Sequence, residues 1–109
     1  MENDHDVARD REVMESITGL SFEMMRWPSG AMQPGTRVRV VQDRSWDGRW
    51  ASEFDGTIDA TIVPLLVRNP LAQPDEREYS VVFDTPQRDA GGHGPYRKAV
   101  IWERYLEEF

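Results

Sequence analysis

Arg49 stands inside Trp46-Asp-Gly-Arg-Trp50, with an indole on either side. A guanidinium stacked on an aromatic ring is held in one orientation. It can then offer a planar, two-pronged contact to a carboxylate or another oxyanion. The alternative reading is an ordinary solvated loop arginine, and this stretch leaves both open. The other reactive side chains are less promising. His5 and His93 are far apart, with no cysteine and no His-Glu-x-x-His spacing between them, so the expectation is that the chain holds no metal. Gly91-Gly-His-Gly94 lacks the Lys-Ser/Thr ending of a phosphate loop and reads as a flexible hairpin tip. Ser16, Ser21, Ser45, Ser52 and Ser80 have no nucleophile-elbow context. Asp75-Glu76 and Glu107-Glu108 read as solvated charges.

A chain of 109 residues, 39% hydrophobic and 30% charged, fits one globular domain with a modest core. With no cysteines, a disulfide framework, a thiolate metal site and a Cys nucleophile are all excluded. The net charge of −7 argues against nucleic acid as a partner, because phosphate neutralisation needs basic surface. Among the thirteen basic residues only Lys98 is lysine, which a coding bias toward arginine would explain. No stretch is apolar for long enough to span a bilayer, so no membrane partner is expected. The acidic start Met1-Glu-Asn-Asp-His-Asp6 is unlike a signal peptide. A cytoplasmic protein is the expectation.

The elements that would position Arg49 can be read from the spacing. Residues 1–34 read as an N-terminal helix and an irregular apolar extension, and residues 35–109 as a barrel. Asp4 or Asp6 can cap a helix running to about Leu20, with Gly19 at its stop. Its narrow stripe of Val13, Met14 and Ile17 would pack on the barrel or on another subunit. Phe22, Met24, Met25, Trp27 and Met32 are interrupted by Pro28, Gly30, Pro34 and Gly35, which precludes regular structure. These apolar side chains either wrap the domain's own core or dock onto a partner, and the second is the expectation here.

From Thr36 the pattern changes to period two. Val38 and Val40 alternate with Arg37 and Arg39 as a first strand. A polar loop over 42–53 follows. Phe54, Ile58, Ala60 and Ile62 then predict a long second strand, with Gly56 marking a bend or close backbone approach. Tyr79, Val81 and Phe83 form the inner face of a third strand, and Tyr96 to Ile101 a fourth. Trp102, Tyr105, Leu106 and Phe109 recur at the spacing of one helix face. The expected fold class is therefore mainly β, a small barrel with an N-terminal helix and a short C-terminal helical turn.

This run of words resembles the C-terminal domain of the nitrile hydratase β-subunit. The matching residues are Gly35, Val38 and Val40, then Arg49, Gly56, Tyr79, Val81 and Phe83, and finally Trp102, Glu103, Tyr105, Leu106 and Glu107. The resemblance covers roughly residues 34–108, and its last word is the most specific. It implies a Src-homology-3-like barrel. It also implies a non-catalytic subunit of an enzyme that hydrates a nitrile to an amide. Cobalt(III) or iron(III) would sit in the partner α-subunit, on a Cys-x-x-Cys-Ser-Cys motif. A chain of this length looks like the C-terminal piece of a split β-subunit, as in thiocyanate hydrolase and three-subunit nitrile hydratases, so a second small β-type subunit is expected as well. By position Arg49 looks like the loop arginine that donates to the partner's oxidised cysteines. Here the loop continues Ala51-Ser-Glu-Phe-Asp55, more acidic than the family pattern. A similar barrel forms the variable chain of ferredoxin–thioredoxin reductase, where it too covers a metal-bearing subunit.

The expected partner-binding residues are Phe22, Met25, Trp27, Trp46 and Trp50. Two other functions stay open. One is a stand-alone interaction barrel, binding proline-rich peptides along Trp46, Trp50 and Tyr96. The other is an accessory protein that loads metal into an enzyme and then leaves.

Overall fold

Alternation of valine with arginine builds the first strand. Val38 and Val40 are buried while Arg37 and Arg39 face solvent, as a strand with one wet face requires. The computed structural model describes residues 4–22, 25–42 and 49–109, with side chains from residue 7 onward. In chain order the elements are helix α1 (Asp4–Thr18) and strands β1 (Arg37–Val40), β2 (Phe54–Ile58), β3 (Leu65–Leu66), β4 (Arg77–Gln87) and β5 (Tyr96–Trp102). A 3-10 turn (Glu103–Tyr105) and strand β6 (Leu106–Glu108) complete the order.

The strands form one antiparallel sheet. β1 pairs with β2 (Val38 opposite Gly56), β2 with β4 (Ile58 opposite Val81), and β4 with β5 (Tyr79 opposite Ile101). The 3-10 turn carries the chain from β5 across to the free edge of β1, where Val40 lies opposite Leu106 of β6. This meander with a returning last strand curls the sheet into a half-barrel, the strand order of a small Src-homology-3-like barrel. The mainly β fold class, the N-terminal helix and the short C-terminal helical turn all match the sequence reading.

The core fills the concave face. Val38, Val40, Ile58, Tyr79, Val81 and Ile101 are buried there with Phe54 and Phe83. Trp50 sits among the rings, edge-on to Phe54 at 5.5 Å, Phe83 at 5.1 Å and Tyr96 at 5.9 Å. Such edge-to-face pairs suit the ring quadrupoles. Gly56 is required by a close approach: a Cβ there would lie 2.7 Å from Val81 Cγ1 and 2.7 Å from the Val82 carbonyl oxygen.

Three elements differ from the sequence reading. β2 stops at Ile58 rather than running to Ile62. The Asp59 carboxylate accepts the Thr61 N–H at 3.0 Å, a local turn that competes with the strand. Ile62 is thereby delivered to a second buried cluster with Phe22 and Val63. The helix-like spacing after Trp102 yields only one 3-10 turn, and Leu106 to Glu108 are a strand. The free edge of β1 decides this: Val41 N–H donates to the Tyr105 carbonyl (2.8 Å), and Phe109 N–H to that of Arg37 (3.1 Å). Tertiary pairing outweighs local preference. Finally, α1 begins at Asp4, so Asp6 lies within it, and it ends at Thr18. Gly19 takes φ +73° and its N–H donates to the Glu15 carbonyl at 2.8 Å, a glycine helix stop. Among the described residues no helix is long and apolar enough to cross a membrane.

Candidate functional site

The backbone at Arg49 is fixed to the end of the β4–β5 hairpin. Ala90 N–H donates to the Arg49 carbonyl at 2.7 Å, and Ala51 N–H to that of Arg88 at 3.2 Å. Trp50 and Asp89 form an isolated antiparallel bridge between them. The hairpin end is itself organised by Asp89, whose Oδ1 accepts the N–H groups of Gly91 (3.0 Å) and His93 (2.9 Å). These bonds, that from His93 first, hold the Asp89 carboxyl below its ordinary range. Arg88 Nη1 donates to the Gly94 carbonyl at 3.1 Å. The glycine-rich segment read as a flexible tip thus has a defined hydrogen-bonded shape. His93 is exposed, with Nδ1 3.4 Å from Asp89 Oδ1.

Beside Arg49 lies a cleft of about 330 Å³. Trp50, Val40 and Ile101 contribute apolar surface to it; Gln42 and Ser52 are polar members, and Trp102 and Tyr105 come from the end of β5 and the 3-10 turn. Gln42 Nε2 donates to the Trp50 carbonyl at 3.0 Å, tying the end of β1 to the Arg49 loop. Arg49 is exposed. Among the described residues no carboxylate is paired with its guanidinium. An aromatic cleft with a cation on its wall can take an apolar group joined to an anionic one.

The Trp102 wall is held by a buried ion pair that the sequence reading missed. Glu76, read as a solvated charge, is 6% exposed. It accepts from Arg104 Nη2 (2.9 Å), Arg104 Nε (3.1 Å) and the Arg104 backbone N–H (3.0 Å). Burial pushes the Glu76 carboxyl up, but Arg104 and the Gln73 N–H outweigh it and hold it below its usual range. Arg104 Nη2 also donates to the Leu71 carbonyl at 2.7 Å, and the guanidinium lies 5.5 Å from the Trp102 ring centre. No local pattern in the sequence marks this pair, which joins residues 28 positions apart.

The expected partner-binding residues are dispersed. Trp50 is 6% exposed and belongs to the core, with one side contributing to the cleft. Phe22 is buried by this chain itself, in the cluster with Ile62 and Val63, and Met25 packs against that cluster. Trp27 packs on the main core, its Nε1 donating to the Met32 carbonyl at 3.0 Å. Met32 N–H in turn donates to Tyr79 Oη at 3.1 Å. The irregular segment therefore lies against this chain's own two apolar clusters at these positions. Trp46, Met24 and the side chain of His5 lie outside the described residues. Among the described residues no group of three His, Asp or Glu side chains could hold a metal ion. Compared with known protein families, curated proteins and solved structures, the chain finds no match in any of the three.

Proposed function

We propose that this chain is a non-catalytic subunit of a nitrile hydratase-like enzyme, which hydrates a nitrile to an amide. It covers the metal-bearing α-subunit with its cleft face and offers Arg49 to the partner. One observation carries the reading. Arg49 and the pair Trp102 and Tyr105, far apart in the sequence resemblance, line one cleft, and the arginine is exposed. A guanidinium so placed can donate charge-assisted hydrogen bonds to the oxygens of a partner's oxidised cysteines. The cobalt(III) or iron(III) belongs to the partner, because this chain has no cysteine to hold it. The assembly includes a second small β-type subunit and is cytoplasmic. Co-expression with a Cys-x-x-Cys-Ser-Cys α-subunit and that second subunit is the test. The expected result is a co-purifying complex that hydrates nitriles. Elution of this chain alone, with nitrile turnover by the others in its absence, contradicts the proposal.

The cleft also favours a second reading, a stand-alone barrel that binds extended peptides against Trp102 and Tyr105. Titration with proline-rich peptides distinguishes it: saturable shifts of the Trp50 and Trp102 indole resonances support peptide binding, and unmoved resonances exclude it. A metal-loading accessory role differs from the first reading only in the lifetime of the complex, which size exclusion after metal loading reads directly.

A further inference from the structure

α1 has 15 residues, a length at which an isolated helix is marginal in water and must be held by the rest of the protein. The apolar stripe does little of that holding. Val13 is 54% exposed and Ile17 73%, and Met14 alone of the three reaches the Phe22–Ile62–Val63 cluster. Among the described residues, polar contacts from Asp10, Arg11 and Glu15 tie the helix to the rest of the chain. Asp10 accepts from Lys98 Nζ at 2.7 Å and from Arg97 Nη2 at 2.8 Å. Arg11 donates through Nε (3.1 Å) and through Nη2 to the Ala60 carbonyl, and Glu15 Oε2 accepts the Phe22 N–H at 2.6 Å. A cleft of about 390 Å³ remains between Asp10, Val13 and Met14 on the helix and Arg97 to Val100 on β5, so the helix is not sealed down.

On the barrel side Lys98 has partners besides the helix. Lys98, the chain's one lysine, has a side chain only 11% exposed. Its Nζ also donates to Thr61 Oγ1 at 2.7 Å and lies 2.7 Å from Asp59 Oδ2. Both partners sit in the turn after β2. When Asp10 withdraws to water, Lys98 keeps a carboxylate and a hydroxyl, so no uncompensated buried charge is left behind.

We propose that α1 is a strap latched over β5 by charge, which opens from a barrel that stays folded when the contact of Asp10 with Lys98 and Arg97 is weakened. Opening uncovers Lys98 and the Phe22–Ile62–Val63 cluster and lets the helix melt. Amide hydrogen exchange on the full chain tests this. In Asp10→Asn the amides of Val13 to Thr18 exchange about ten-fold or more faster, while those of Val38, Tyr79 and Val81 keep their wild-type rates. Added sodium chloride speeds α1 exchange in the wild type and changes Asp10→Asn little, because the screened contact is already lost. Arg97→Gln, on the more exposed arm of the latch, gives the same pattern with a smaller step. Ile17→Gln, at a side chain 73% exposed and two turns beyond Asp10, leaves α1 protection unchanged. The proposal is overturned if α1 protection is unaltered in Asp10→Asn. It is also overturned if α1 and the barrel lose protection together, or if Ile17→Gln opens the helix as much as Asp10→Asn.

Discussion

The two faces of the sheet are held by different physics. The concave face is closed by aliphatic and aromatic side chains, with Trp50, Phe54 and Phe83 in edge-to-face contact within a continuous apolar core. The opposite face over β5 carries a small apolar cluster, and the helix beside it is fastened by Asp10, Arg11 and Glu15. Non-directional burial stabilises the first face and changes little with salt or mild acid. Charge fastens the second, so it responds to both. Stability and responsiveness are thereby separated within one small chain.

The sharpest way to break this contrast is to cut into the concave face. Trp50→Ala removes the ring at the centre of the aromatic group and should cost about 3–5 kcal/mol, read as a lowered midpoint in urea unfolding. Gly56→Ala attacks the same face by overpacking. Its Cβ would meet the Val82 carbonyl oxygen at 2.7 Å, a backbone atom that cannot swing away. The expected loss is about 1–3 kcal/mol in the same measurement. An unchanged midpoint in either variant would mean that the concave face is not what holds the fold.

Acid sharpens the comparison from the other side. Burial raises the Asp10 carboxyl, but its bonds to Lys98 and Arg97 outweigh that and leave it below its ordinary value. A carboxyl lowered in the folded state contributes stability above its unfolded pKa and loses it as pH falls through the folded value. The groups around it are Lys98, Arg97 and, through Lys98, Asp59. α1 protection should therefore hold from neutral pH down to about pH 4, the ordinary carboxyl range, and fall below it. In Asp10→Asn this step is absent. The expected change is smaller than that of either core variant, and a barrel that unprotects at the same pH as α1 would dissolve the distinction.

Legibility in the sequence follows the same division. The concave face could be read because burial on one side of a strand imposes period two, and Val38, Val40, Tyr79, Val81 and Phe83 obey it. Gly56 announced its close approach for the same reason. The opposite face had no such period. Its ionic contact joins Asp10 to Lys98, as Glu76 joins Arg104 behind the cleft, across long sequence separations, and charge in sequence looks alike whether solvated or buried. The end of β2 is hidden in the sequence because Ile62 keeps the alternation beyond the Asp59 turn. The β6 strand was read as helix because Trp102, Tyr105 and Leu106 satisfy helical spacing while the free edge of β1 supplies the bonds. At the candidate site, Arg49 was picked out by its tryptophan neighbours. Its companions Trp102 and Tyr105 come from the resemblance word at the other end of the barrel, and only the fold unites them.

The central claim is that this barrel serves a partner's reaction through Arg49. Its most direct test is nitrile turnover by the assembled subunits carrying Arg49→Ala, beside the same complex with the wild-type chain. The account predicts a complex of unchanged composition whose turnover falls by about 10- to 100-fold, as when a donor behind a metal ligand is removed. Full turnover by an intact Arg49→Ala complex would contradict it.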